Sequence, residues 1–168
     1  MKYKFTNETK KVGEVTLHRI ECIEAFADVK VGEKGGWIEK ERNLFQKDEA
    51  WVYGNAEVYG NAWVSGNARV QDDAKVFGNA CVFGDAKVCG NAMVRGNAVV
   101  SGNAEVSENA LVSGNAEVYA NAKVSGNAKI YSHAEVAGNA KVAGNSQVYG
   151  YAIVDGFADL NNVNLSKF

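Results

Sequence analysis

From Trp51 to Ala158 the chain is one unbroken series of 18 hexads, opening WVYGNA, EVYGNA, WVSGNA and ending IVDGFA. The second position is Val in every hexad but one, where Ile130 stands, and the sixth is Ala everywhere except Ser146. Gly holds the fourth position 14 times and Asn the fifth 13 times. A fixed short period of this kind is the mark of a stacked repeat, and it constrains every other element. Disordered low-complexity tracts do not keep a β-branched residue in register throughout.

In Asn-Ala-x-Val-x the Ala and the Val lie two apart, so a strand turns both to one side. The residue between them (Glu57, Arg69, Lys87, Glu105) and the one after Val (Tyr53, Ser65, Ser101) then point outward. Gly-Asn supplies the corner, because Gly accepts positive φ freely and Asn is the commonest other residue to do so. A strand this short, broken every six residues, forms no hairpin sheet. It winds into a coil in which each strand pairs with the one a full coil later, at a spacing of about 4.8 Å. Each inward Val contributes about 1.5–3 kcal/mol when fully buried. The inward Ala keeps the coil too narrow for an internal ligand.

The pattern resembles the hexapeptide-repeat left-handed β-helix superfamily, whose coils are triangular prisms of three hexads. An aliphatic residue there recurs every six positions with a small residue two before it, as Val52 follows Ala50 and Val58 follows Ala56. The resemblance implies an all-β, left-handed parallel β-helix of about six triangular coils. The left-handed sense and the triangular section come from the resemblance, not from the period. The segments KYKFTNETKKVGEVTLHRI, FADVKVGEKGGWIEKERNL and AWVYGNA are in addition similar to a group of bacterial and phage hexapeptide-repeat proteins. Some of these carry transferase or polymer-forming labels given by fold alone, which is analogy rather than chemistry.

A solenoid needs its ends covered, because terminal coils expose unpaired edges and core. The expected organisation is an N-terminal cap at 1–44, the β-helix at 45–158 and a C-terminal cap at 159–168. In the first segment KYKFT and VTLHRIECI read as two strands joined through NETKKVGE, and Gly35-Gly36 precedes the first turn of the winding. In the last, Leu160, Val163, Leu165 and Phe168 are expected to fold over the final coil.

Composition excludes several classes. Eighteen Lys and Arg oppose 20 Asp and Glu for a net charge of −2, so a nucleic-acid partner is not expected. No stretch approaches the roughly 18 apolar residues of a membrane span, and the N-terminus lacks a signal-peptide core. Three cysteines without a CxxC spacing fit reduced thiols in the cytoplasm.

Enzymes of the superfamily are mostly acyltransferases that use coenzyme A or acyl carrier protein, with a His base in a cleft between subunits of a trimer. This chain has two histidines. His18 falls in the N-terminal segment, and His133 replaces a corner Asn, with no inserted loop to build a pocket. His133 is therefore a weak candidate for a catalytic base, and a corner substitution is the simpler account. Gamma-type carbonic anhydrases share the fold but need three His, so no metal or cofactor is expected. Asp72-Asp73 and Glu108 share an edge two coils apart, about 10 Å, which suits no single ion. No GxxxxGK[ST] phosphate loop occurs.

Every third hexad shares a face, so outward ladders have a period of 18. One face carries Trp63, Cys81 and Val99 before the Val, with Phe83 after it, and turns polar at Glu117 and Glu135. A second carries Met93 and Leu111, and a third is charged through Arg69, Lys87, Glu105, Lys123 and Lys141. The expected interface residues are Trp63, Cys81, Phe83, Val99, Met93 and Leu111. The expected function is a non-catalytic scaffold that self-associates as a dimer or trimer, with a host protein as the partner that the phage-like resemblance implies. A coenzyme A-dependent acyltransferase with its site between subunits is the alternative.

Overall fold

The computed structural model describes residues 1–168. Each hexad contributes one strand, two residues long in all but Lys141–Ala143 and Gln147–Gly150, and up to the Lys141 strand each pairs in parallel with the strand 18 residues on, as in Trp63↔Cys81 and Val64↔Val82. The pairing is carried by a repeated set of backbone bonds. Arg69 N–H donates to the Ala86 carbonyl at 2.9 Å, Gln71 to Val88 at 2.9 Å and Asp73 to Gly90 at 3.0 Å. Ala74 closes the turn back onto Gln71 at 3.3 Å.

The strands stack into three walls around one core. A seven-stranded wall runs from Trp51–Val52 to Asp159–Asn161 through the Arg69, Lys87 and Lys123 strands (the charged wall). A six-stranded wall runs from Trp63–Val64 to Ile153–Val154 (the aromatic wall). The third has ten strands, because an N-terminal hairpin is added to it (the hairpin wall). The result is a β-solenoid of about seven turns. The inward pair is fully buried in every hexad from Ala50-Val52 through Ala140-Val142, which is where the period-two argument puts it.

The winding starts before the hexads do. Strand β1 (Tyr3–Val12) pairs antiparallel with β2 (Val15–Cys22), and β2 with β3 (Lys34–Ile38). Strand β3 then pairs in parallel with the hexad strand at Glu57, with Trp37 opposite Glu57 and Ile38 opposite Val58. Leu44 bridges in parallel to Val64. These offsets are two residues longer than the repeat, and the surplus lies between Leu44 and Trp51. Gly35 and Gly36 are fixed by close approach: a Cβ on Gly36 would lie 2.6 Å from Val52 Cγ1 and 2.7 Å from the Ala56 carbonyl oxygen.

The enlarged corner between Leu44 and Trp51 holds the N-terminus. The buried Lys2 ammonium donates to the Asp48 carboxylate at 2.9 Å, the Asp48 carbonyl at 2.9 Å and the Ala50 carbonyl at 2.7 Å. The Tyr3 hydroxyl reaches the carbonyls of Glu41 and Leu44, each at 2.9 Å. Trp51 occupies an outward hexad position but is fully buried, because Tyr3 and Phe26 pack on it edge-on at 6.1 and 5.5 Å. Glu57, also outward, is covered by the hairpin and pairs with Lys10 at 2.8 Å and Lys75 at 3.4 Å.

At the other end the tail continues the winding rather than folding over it. Asp159–Asn161 pairs with Lys141–Ala143, and Asn164–Lys167 with Gln147–Gly150, setting Leu160 and Leu165 in the Val register. The second offset is 17 residues, with Asn162 in the left-handed region at φ 57°. Ser146, the one non-Ala at its position, accepts the Val163 N–H at 3.1 Å, which explains the exception.

The corners differ from expectation in one respect. Only the fourth position is left-handed, whether Gly or the exceptions Asp72, Glu108, Ala120 and Ser132; no corner Asn of the hexads has positive φ. Asn is there for its side chain. Where the next corner residue can accept, the amide donates along its column, Asn61 to Asn79 at 3.1 Å, Asn79 to Asn97 at 2.9 Å and Asn97 to Asn115 at 2.8 Å. Asp72 and Glu108 offset their strained backbone by accepting the Gly N–H one coil on, from Gly90 at 2.9 Å and Gly126 at 2.8 Å.

Candidate interaction face

The aromatic wall brings Trp63, Cys81 and Val99 into one hydrogen-bonded row. Phe83 follows Cys81 by two and stands on the same outer surface. Trp63 is 41% exposed and Phe83 38%, while Cys81 and Val99 are half-buried. Phe45, which the repeat does not reach, joins them: it is 44% exposed and meets the Trp63 ring edge-on at 6.4 Å. It lies outside the hexads, so only its position after the Leu44 bridge reveals the contact. Phe45 and Trp63 border an open cleft of about 450 Å³ that also carries Glu41, Arg42, Leu44 and Lys47. Beyond Val99 the row continues as Glu117 and Glu135, and Tyr119 donates its hydroxyl to Glu135 at 3.2 Å.

Met93 and Leu111 are paired neighbours, but on the hairpin wall. Lys75 and Lys129 flank them in that row, so they form a separate and smaller apolar spot. The charged wall pairs two of its cations, Arg69 and Lys123. Arg69 grips Asp28 through two bonds of 2.8 and 2.9 Å and reaches the Tyr53 hydroxyl at 3.0 Å, and Lys123 lies 3.7 Å from Glu105. The Arg69 guanidinium holds the Asp28 carboxyl below the usual carboxylate range. Burial pushes the Tyr53 hydroxyl up to about 12.

His133 sits in the corner column above Asn115. Its Nε2 lies 3.2 Å from the Asn115 amide nitrogen, and its ring stacks on Tyr151 at 4.9 Å. It is exposed, no carboxylate orients it, and none of the open clefts is lined by it. A base needs an orienting partner and a place for substrate, and this arrangement supplies a ladder rung instead. All three cysteines are free thiols, and burial raises the pKa of each, which disfavours the thiolate. No three His, Cys, Asp or Glu side chains converge on a common point. No helix is long and apolar enough to cross a membrane.

A family model described as YdcK Beta solenoid repeat matches residues 50–66 and 86–102. Both matches begin on an inward Ala, Ala50 and Ala86, that leads into a strand of the charged wall, two coils apart. No curated protein matches the chain. The matched repeat and the stacked parallel walls together make this chain a β-solenoid repeat protein.

Proposed function

We propose that the chain is a non-catalytic scaffold of hexapeptide-repeat type, acting in the cytoplasm, that self-associates through its aromatic wall and presents rigid rows of side chains to a protein partner. In line with the phage-like resemblance, that partner is a host protein. One observation carries the reading: Phe45, Trp63, Phe83 and Val99 form a continuous outward strip at one end of the wall, followed in the Trp63 row by Glu117 and Glu135. Single exposed apolar residues are ordinary on any surface, whereas a contiguous set is the feature that marks contact sites. The repeat fixes spacing along the wall, so a partner meets side chains at a set pitch of about 4.8 Å.

The test is the double substitution Trp63→Glu with Phe83→Glu. Neither side chain is in the core, so β structure by circular dichroism is retained while light scattering reports a smaller species. A wild type that is monomeric at several hundred micromolar overturns self-association. Coenzyme A binding in calorimetry at millimolar ligand, lost in His133→Ala, overturns the non-catalytic reading and restores the acyltransferase alternative.

A further inference from the structure

The outer surface of the aromatic wall has an internal symmetry. The positions after the inward residue read, coil by coil, Phe45, Ser65, Phe83, Ser101 and Tyr119: an aromatic, a serine, an aromatic, a serine, an aromatic. The row beside it begins at Arg42 and Asn43 and continues through Trp63, Cys81 and Val99 to Glu117. Both rows are centred on the strand Cys81–Val82. One end of the strip carries exposed cations, Arg42 and Lys47 against Glu41, and the other carries Glu117.

A symmetric pair of copies can place this wall against itself in two ways. With the solenoid axes parallel, each coil meets its own level. Trp63 then faces the small Ser65 of the copy, and the acidic levels of Glu117 and Glu135 are brought together, which is unfavourable for like charges. With the axes antiparallel and the two-fold on the Cys81 strand, the levels exchange about their centre. Phe45 then meets Tyr119 of the copy, Trp63 meets Val99, and Phe83 and Cys81 each meet themselves. Glu117 meets the Arg42 end of the other chain.

We infer that the chain forms an antiparallel two-fold dimer through this wall, with the axis at the Cys81–Phe83 level. The inference rests on the self-association reading above and adds its partner geometry. The strip spans four coil steps, about 19 Å, and is one strand wide, well short of the roughly 800 Å² per partner of a standard interface. The dimer therefore belongs with the small, reversible interfaces.

The experiment uses the full chain with sedimentation equilibrium and a short thiol cross-linker at pH 8. Wild type is expected to give a monomer–dimer equilibrium and a cross-linked dimer that Cys81→Ser abolishes and Cys89→Ser does not. In the Cys81→Ser background, Phe83→Cys is expected to cross-link to itself. Glu117→Arg or Arg42→Glu alone is expected to weaken the dimer roughly tenfold, and the two together to restore it to within roughly threefold. All five positions are at least partly exposed, and circular dichroism checks the fold of each variant. A monomer at every concentration overturns both this inference and the self-association reading. A dimer or trimer that cross-links without Cys81, or that the charge exchange fails to restore, overturns the antiparallel geometry alone.

Discussion

Replacing Gly96 by Ala asks whether the corners are fixed by contact between coils. Gly96 has φ of 72°, and a Cβ built on it lies 2.9 Å from the Gly114 carbonyl oxygen and 3.0 Å from the Gly114 nitrogen. That same oxygen accepts the Asn97 N–H at 2.7 Å, so the added methyl presses on the acceptor of the adjoining bond. The left-handed backbone costs an Ala about 1–2 kcal/mol, offset by about 0.4–1 kcal/mol because Ala restricts the unfolded chain. Weakening the Asn97 bond adds about 1 kcal/mol, for a net loss of about 2 kcal/mol. Gly156 is the control. Its φ is 68° and nothing lies within 4 Å of the same Cβ, so only the backbone cost applies. That loss is about 1 kcal/mol or less. Urea unfolding followed together by tryptophan fluorescence and circular dichroism measures both. For a chain of this length the larger loss lowers Tm by about 4–8 °C. Equal losses at the two sites would refute the contact argument and leave backbone conformation as the whole effect. Ala120, at φ 59°, provides the reverse case, and Ala120→Gly is expected to stabilise.

Two further outcomes concern the N-terminal anchor. Lys2→Ala leaves the Asp48 carboxylate without its cation, though still held by the Ala50 and Gly66 N–H groups, and the Ala50 carbonyl without its donor, so a loss of about 1–3 kcal/mol is expected in the same urea assay; a loss under about 0.5 kcal/mol would show that Lys2 is not an anchor. Burial raises the pKa of the Tyr3 hydroxyl above that of the unfolded chain, so its contribution is complete below the ordinary tyrosine value of 10.0 and is lost as pH rises beyond it. Lys2 is shifted downward, chiefly by burial, and gains rather than loses stability as pH rises. Tyr3→Phe is therefore expected to flatten the alkaline fall in stability between pH 9 and pH 11. Superimposable alkaline limbs for the two proteins would remove Tyr3 from that role.

What the sequence determined by itself is the part governed by local periodicity. A β-branched residue every six positions, with Ala two before it, leaves one way to bury both, and the walls follow because three hexads close one coil. The row Trp63, Cys81 and Val99 was legible for the same reason: residues 18 apart in a uniform coil must be neighbours. The left-handed glycine corner was legible from residue type. The role of the adjacent Asn was not, because its bonds run to the next coil and not along the chain. Tertiary structure decided whatever depends on the ends, where the period fails. Trp51 and Glu57 stand in outward positions by the rule, yet both are buried, because Tyr3, Phe26 and Lys10 arrive from a segment with no repeat to place it. Phe45 joins the aromatic wall only through the Leu44 bridge, and Ser146 is understood only once the tail shortens its last coil by one residue. A repeat fixes contacts at constant separation along the chain, whereas a covering segment is fixed by the shape and unmet hydrogen bonds of the surface it must close.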